Sequence, residues 1–362
     1  MKTLRPKNYE EYSNQINWKD IGGSLDKEFI RVDSKFISNY FDEISKPNSS
    51  YVSYADDLIR ECYDPKYRDE NGDKNFPLKY FSALVKELSN HYSGPGSANE
   101  VVGSRLANLF GVPTVYNEQV IFKDEQSIIS LDYLKMGETV CSLTDIYEER
   151  DPQGNLYEII NTYDGYQSMS AWCNFIYDLI GYKLNKNVSN RYEMIDDVIG
   201  DFCVQMLFKN LILNDEDFKA YNISLIFSDD NKSVKLAPAF DYEFCNFKSF
   251  ELHAFLEYLF EYFALMNKCC PKKLASFMDR LNKVCFKNNG EFNPTRISKI
   301  FRDNYTADYI AKDYMKCLRR NIERIQFGYQ TFKENPDKEF TEDDIKYLCN
   351  EFKYRDISMF IE

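Results

Sequence analysis

The sequence predicts an α+β fold of two lobes, with a small antiparallel β-sheet and one helix over residues 1–134 and a larger, mainly helical lobe over 135–362. Three observations carry this expectation. Short β-rich runs separated by turn residues fill the first third of the chain. A helix with clear start and stop signals sits among them. Beyond about residue 135, apolar residues recur at helical spacing almost to the end.

In chain order, Asp20-Ile21-Gly22-Gly23-Ser24 reads as a glycine turn whose exposed amide groups suit an anion. Phe29-Ile30-Arg31-Val32 and Phe36-Ile37-Ser38 flank Asp33-Ser34-Lys35, a hairpin signal. Residues 41–93 look like an insertion: 64–76 is polar and rich in turn formers, whereas Phe81, Leu84 and Leu88 predict a helix over 79–88. Ser97 and Glu100 have the spacing of a capping box. Val101, Leu106, Leu109 and Phe110 then supply an apolar side, and Gly111 and Pro113 stop that helix. Two strands follow, 119–122 and 127–131, joined by Lys123-Asp124-Glu125-Gln126. Leu131-Asp132-Tyr133-Leu134 reads as a short hinge into the helical lobe.

In that lobe Ile195, Val198, Ile199, Phe202 and Met206 follow helical spacing. Val204, Leu207, Leu211 and Ile212 spread apolar character around the whole circumference, which predicts a buried helix. Further helical patterns recur at about 248–265, 272–287, 308–331 and 341–353.

Composition narrows the function. The 362 residues carry a formal net charge of -13, which argues against a nucleic-acid backbone as direct partner. It leaves nucleotide binding open, because magnesium and a few local cations neutralise phosphates. The ten cysteines show no C-x-x-C pair, and with two histidines a zinc site is not expected. Packed, reduced thiols in a cytoplasmic protein are expected instead. No signal core or membrane-length apolar run is present in the sequence, so no membrane partner is expected.

The chemistry concentrates in 211–244. An apolar helix ends in an acidic loop with Asp217 and, five residues on, Asn222. The runs Ile223 to Phe227 and Val234 to Leu236 flank Ser228-Asp229-Asp230-Asn231-Lys232, a hairpin turning near residues 230 and 231. Such pairing sets Asn222 opposite a position close to Asp241, and predicts that three metal-competent oxygens converge. Kinases use an Asp to orient the acceptor hydroxyl, and an Asn with a second Asp to hold magnesium.

Asp217-Phe218-Lys219-Ala220-Tyr221-Asn222, followed by Leu236-Ala237-Pro238-Ala239-Phe240-Asp241, resembles the D-x-H-x-x-N and L-x-P-x-x-D motifs of HipA-like serine/threonine kinases. That resemblance implies a protein-kinase-like fold and transfer of the γ-phosphoryl group of ATP to a Ser or Thr hydroxyl of a protein. It implies Asp217 as the catalytic residue, and Asn222 and Asp241 as magnesium ligands. Gly22, Gly23 and Ser24 would roof the phosphates, with Ser24 a site of autophosphorylation. Glu100 would pair with the phosphate-binding lysine, and the backbone of Asp132 and Leu134 would meet adenine. Family members are bacterial toxins paired with an antitoxin, or secreted effectors.

Two departures stand out. Lys219 occupies the family's histidine position. The phosphate-binding lysine falls at Asn39, with Lys27, Arg31 and Lys35 nearby. The alternative is therefore a nucleotide-binding pseudokinase or interaction module without phosphotransfer, and a third reading is an acidic helical scaffold.

Overall fold

Alternating burial builds the first sheet. In the computed structural model, which describes residues 2–4, 27–33, 43, 46, 48–52, 80–87, 96–122, 125–135, 137–152, 169–248, 251–305 and 308–359, the strands β1 (Lys2–Leu4), β2 (Lys27–Asp33), β3 (Tyr80–Glu87), β4 (Asn117–Phe122) and β5 (Glu125–Leu131) form one sheet. Its order is β1-β4-β5-β3-β2. The pairs β2–β3, β3–β5 and β4–β5 are antiparallel, and β1 joins the edge in parallel with β4. Ala83 and Val85 of β3, and Val120 and Phe122 of β4, are buried at alternate positions. Ile128 and Ile129 are adjacent yet both buried, as befits the central strand β5.

Three expectations are corrected or extended here. Within the segment 79–88, Tyr80–Glu87 is the strand β3, not a helix, and it lies inside the sheet rather than in an inserted excursion. Phe81, Leu84 and Leu88 fit a 3.6-residue period, but Phe81, Ala83 and Val85 fit the pleat, and sheet pairing decides between them. β2 pairs with β3, while the expected second arm of its hairpin, 36–38, lies outside the described residues. The expected strands 119–122 and 127–131 are present and slightly longer, as β4 and β5.

The chain divides into two compact units. The first comprises Met1–Val140 with Pro238–Phe244, so a short downstream segment completes it. Helix α1 (Gly96–Phe110) packs on its sheet through Val101, Val102, Leu106 and Phe110, all buried. The returning segment is stitched in by backbone: Val115 N donates to Ala239 O (3.1 Å), and Ala239 N to Pro113 O (2.8 Å). Thr114 Oγ1 meets the Tyr242 hydroxyl at 2.8 Å. Tyr242 lies directly against Gly103 of α1, where an added Cβ would stand 2.6 Å from Tyr242 Cβ. Gly103→Ala is therefore expected to cost roughly 1–3 kcal/mol by overpacking. Urea denaturation measures this, and an unchanged midpoint would show that the segment shifts freely.

The second unit, Cys141–Ala237 with Cys245–Glu362, is mainly helical. After β6 (Glu138–Ser142), within which the boundary falls, come α2 (Leu143–Arg150), α3 (Met169–Lys183) and α4 (Arg191–Met206). α4 continues as a π-helical stretch, Leu207–Leu213, whose seven residues are all buried, as the all-round apolar pattern predicts. The wider turn alters carbonyl pairing, and Asn321 Nδ2 donates to Ile212 O at 3.0 Å. β7 (Ser224–Ser228) and β8 (Val234–Leu236) make the expected hairpin, with Leu225 opposite Leu236 and Phe227 opposite Val234. That register centres the turn on Asp230 and Asn231, and Asn231 has a φ of 53°.

The rest is α5 (Leu252–Cys269), α6 (Pro271–Cys285), α7 (Thr295–Asn304), α8 (Asp308–Glu334) and α9 (Glu342–Met359). Four of these answer to sequence periodicities; α7 was not foreseen. α8 buries Leu318, Ile322, Ile325 and Phe332, a spacing that keeps one stripe inward. No described helix is long and apolar enough to cross a membrane.

Candidate active site

Each unit brings together one group of the residues that the motifs single out. In the first unit, strand β3 presents Lys86, whose Nζ lies 2.8 Å from Glu100 Oε1 and 2.7 Å from Asp241 Oδ1. Glu100 comes from α1, and Asp241 from the returning segment, where it holds a φ of 59°. A left-handed backbone is tolerated by Asp and Asn better than by most residues. Glu100 Oε2 accepts from Asn117 Nδ2 (3.3 Å) and from Tyr242 N (3.0 Å). Both Glu100 oxygens thus have partners in the sheet and the segment. The Ser97 half of the expected capping box lies outside the described side chains.

Electrostatics hold Lys86 charged. Burial alone would discharge Lys86, but Glu100 and Asp241 outweigh it and its pKa is raised. Burial pushes the Glu100 carboxyl up, opposed by the Lys86 ammonium. Glu100, Asp241 and Glu243 place carboxylate oxygens within 4.8 Å of one another. Three hard oxygen donors beside a lysine suit magnesium better than a soft metal.

In the second unit, the Asp217 loop is built from inside. Asn214, at φ 51°, ends the π-helical stretch, and Asp215 N donates to Lys209 O at 3.0 Å. Lys209 Nζ and Asp215 Oδ2 form a buried ion pair at 2.9 Å. Asp215 Oδ1 then accepts from Asp217 N at 3.1 Å. Phe218 plugs into the core against Trp172 and Phe202 (centroids 6.1 and 6.3 Å). Burial of that ring contributes roughly 1.5–3 kcal/mol, enough to fix the loop on either side of it.

Asp217 and Asn222 do come together. Asn222 Nδ2 donates to Asp217 O (2.8 Å) and to Asp217 Oδ2 (2.9 Å). The amide nitrogen being committed there, the amide oxygen is the atom Asn222 can offer a cation. Lys219, at the histidine position, reaches Asp217 Oδ1 at 2.8 Å, and the Tyr221 hydroxyl donates to the same oxygen at 2.6 Å. Burial and that bond push the Tyr221 phenol up to about 12. The sign follows: a phenol whose folded pKa exceeds its ordinary value of 10 supports the fold fully below pH 10 and loses that support as pH rises towards 12. Tyr221→Phe is expected to remove an ultraviolet titration step near pH 12. Loss of a step near pH 10 would mean that the bond to Asp217 does not persist.

The expected hinge is an irregular stretch after β5, in which Asp132 Oδ1 accepts from Leu134 N at 3.0 Å. Gly22, Gly23, Ser24, Lys35 and Asn39 lie outside the described residues. Lys27 and Arg31 are on β2.

Among solved structures, the chain is similar to the Helicobacter pylori proinflammatory kinase CtkA, at 13% identity over 69% of this chain and 88% of that one, with a TM-score of 0.42. It is also similar to a chain of the Shewanella oneidensis MR-1 toxin–antitoxin complex of HipA, HipB and operator DNA, at 14% identity over 82% of this chain and 72% of that one, TM-score 0.43. Both likenesses are distant. No protein family profile matches the sequence, and no curated protein does.

Sequence reasoning missed two members of the first group, Lys86 and Glu243. The signal for Lys86 was present: Phe81, Ala83 and Val85 alternate, so Tyr80–Glu87 carries strand periodicity with a lysine near its end. A helical reading of the same apolar residues hid it.

Proposed function

We propose that the chain is a magnesium-dependent kinase that moves the γ-phosphoryl group of ATP to a Ser or Thr hydroxyl of a protein substrate. The observation that carries this reading is Lys86, held by Glu100 of the helix and by Asp241 after the hairpin. A strand lysine paired with a helix glutamate, beside an Asp that can hold metal, is the phosphate-handling set of protein kinases. Lys86 supplies the cation sought at Asn39, which removes the main motive for a non-catalytic module.

In this reading Lys86 holds phosphate oxygens, and Glu100 keeps its ammonium oriented and charged. Asp241 and Asn222 are the magnesium ligands. Magnesium, when bound, supplies positive charge against the phosphates. Asp217 orients the acceptor hydroxyl and helps take its proton, with Lys219 and Asn222 fixing the carboxylate. Positioning and charge neutralisation account for most of the rate in such transfers. Gly22, Gly23 and Ser24 roof the phosphates, the backbone of Asp132 and Leu134 meets adenine, and Ser24 is an autophosphorylation site. Because Asp132 already engages Leu134 N, its side chain must yield that amide or leave adenine to the neighbouring carbonyls.

An antitoxin-type protein partner belongs to the same reading through the motif resemblance, and a cytoplasmic location through the cysteine pattern, which suits packed, reduced thiols. Incubation with magnesium and γ-labelled ATP tests it, with phosphoserine and phosphothreonine read on added proteins and on the chain itself. Transfer is expected. Thermal stabilisation by Mg-ATP without any transfer would favour the pseudokinase. Neither transfer nor stabilisation would overturn both.

A further inference from the structure

Two opposite charges lie in the core of the second unit, beside Asp217 but outside the set assigned to substrate or metal. Lys209 is on the π-helical stretch and Asp215 stands just beyond its end; the side chain of each is 1% exposed. Through this pair the chain is fixed on both sides of Asp217. Ahead of it, Asp215 Oδ2 faces Lys209 Nζ while Oδ1 accepts from Asp217 N at 3.1 Å. After it, the Phe218 ring centroid lies 5.5 Å from Lys209 Nζ, within cation–π range. The backbone closes the same link, because Lys209 O accepts from Asp215 N.

The frame that carries the pair is pinned as well. Phe247 N donates to Leu213 O at 2.9 Å, and Asn214 Nδ2 to Asn246 Oδ1 at 2.9 Å. From α8, Asn321 Nδ2 donates to Ile212 O and to Lys248 O, at 3.0 and 3.3 Å. Stability does not account for burying two charges inside this frame. Desolvating both ions is costly, and packed apolar residues of similar volume often serve a fold equally well or better. Apolar residues cannot, however, accept a hydrogen bond from Asp217 N. A π-helical stretch is itself a feature that recurs at functional sites, and here it carries the lysine.

We propose, on the reading in which Asp217 orients the acceptor hydroxyl, that Lys209 and Asp215 are positioning residues: a buried charge pair that holds the backbone on both sides of Asp217, so that its carboxylate is in place before the acceptor arrives. Such placement matters, because a displacement of about 1 Å can cost on the order of 10²-fold in rate. Without Lys209 the Asp215 carboxylate loses the cation that aims it, and without Asp215 the Asp217 amide loses its acceptor.

Removing one member alone confounds position with stability, because it strands a buried charge. Two double variants avoid this. The first, Lys209→Met with Asp215→Asn, has no charge but keeps a side-chain oxygen able to accept from Asp217 N. The second, Lys209→Met with Asp215→Leu, has neither charge nor acceptor. Transfer is measured in the full chain with magnesium and γ-labelled ATP, using casein and the chain itself as acceptors. The second variant is expected to lose about 10²-fold in kcat, with the KM for ATP within about twofold of wild type. The first is expected to recover about tenfold of that loss, on the order of one hydrogen bond. A pair with a merely structural role predicts equal kcat in the two folded variants.

Hydrogen exchange followed by mass spectrometry reads the loop without ATP. Over residues 214–222 the second variant is expected to exchange about tenfold faster than wild type, while peptides from α5 and α8 keep their wild-type rates. Equal kcat in the two folded variants, or a loop that exchanges no faster than wild type, would overturn the proposal. Should neither variant fold, the wild type decides: a protected Asp217 amide supports the pair's role, and an amide exchanging at the rate of an unstructured peptide overturns it. Should the wild type transfer no phosphate, the kinase reading fails by itself, and the exchange result still judges whether the pair holds the loop.

Discussion

Lys86→Met is expected to lower phosphoryl transfer by roughly 10²–10³-fold, the usual scale for losing one charged stabiliser of a developing anion. The same change acts on the fold. It removes the cation between Glu100, whose side chain is 3% exposed, and Asp241, at 23%. An uncompensated buried carboxylate costs about 3–5 kcal/mol. The deficit has a pH dependence with a definite sign. Glu100 already has a pKa raised above its ordinary 4.5, chiefly by burial, and without Lys86 it rises further. A carboxyl raised on folding supports the folded state when protonated and burdens it when ionised, so the deficit grows as pH climbs above 4.5 and shrinks on acidification. Urea denaturation at pH 5 and pH 7 measures this. Lys86→Met with Glu100→Gln is expected to recover much of the stability and none of the transfer. Full stability of Lys86→Met at pH 7 would show that the ion pair does not form.

A second pair of changes separates chemistry from metal binding. Asp217→Asn is expected to cut transfer by about 10³-fold while leaving Mg-ATP binding in place. Asp241→Asn is expected to lose both, and its design is favourable, because asparagine accepts the left-handed backbone that Asp241 adopts. Binding is read as thermal stabilisation: a ligand at 100 times its Kd contributes ~2.7 kcal/mol to the native state. If Asp217→Asn kept wild-type transfer, or Asp241→Asn kept the full shift, the corresponding role would be wrong.

Much of this arrangement was legible in the sequence where local chemistry is strong. The hairpin of β7 and β8 follows from Ser228-Asp229-Asp230-Asn231-Lys232 between two apolar runs, and its register centres where expected. The π-helical stretch announced its burial through apolar residues on every side, though not its geometry, which depends on partners such as Asn321 from α8. Asn222 met Asp217 as anticipated, since five residues and one 3₁₀ turn connect them. Lys86 was missed because Tyr80–Glu87 supports both periods, and pairing with β2 and β5 selects the strand. Its partnership with Asp241 spans 155 positions, beyond the reach of any local pattern.

The segment Pro238–Phe244 has a consequence for the order of assembly. It hydrogen-bonds to residues 113–115, fills the space beside Gly103 and brings Asp241 to Lys86. A nascent chain emerging from the ribosome therefore holds β3 and α1 long before their last wedge exists. Until residue 244 has been translated, Lys86 has only one of its two carboxylates, and Gly103 faces a vacancy. A fragment ending at Val140 is born incomplete, so the first unit matures only once residue 244 has been made, rather than as an early, independent folding module.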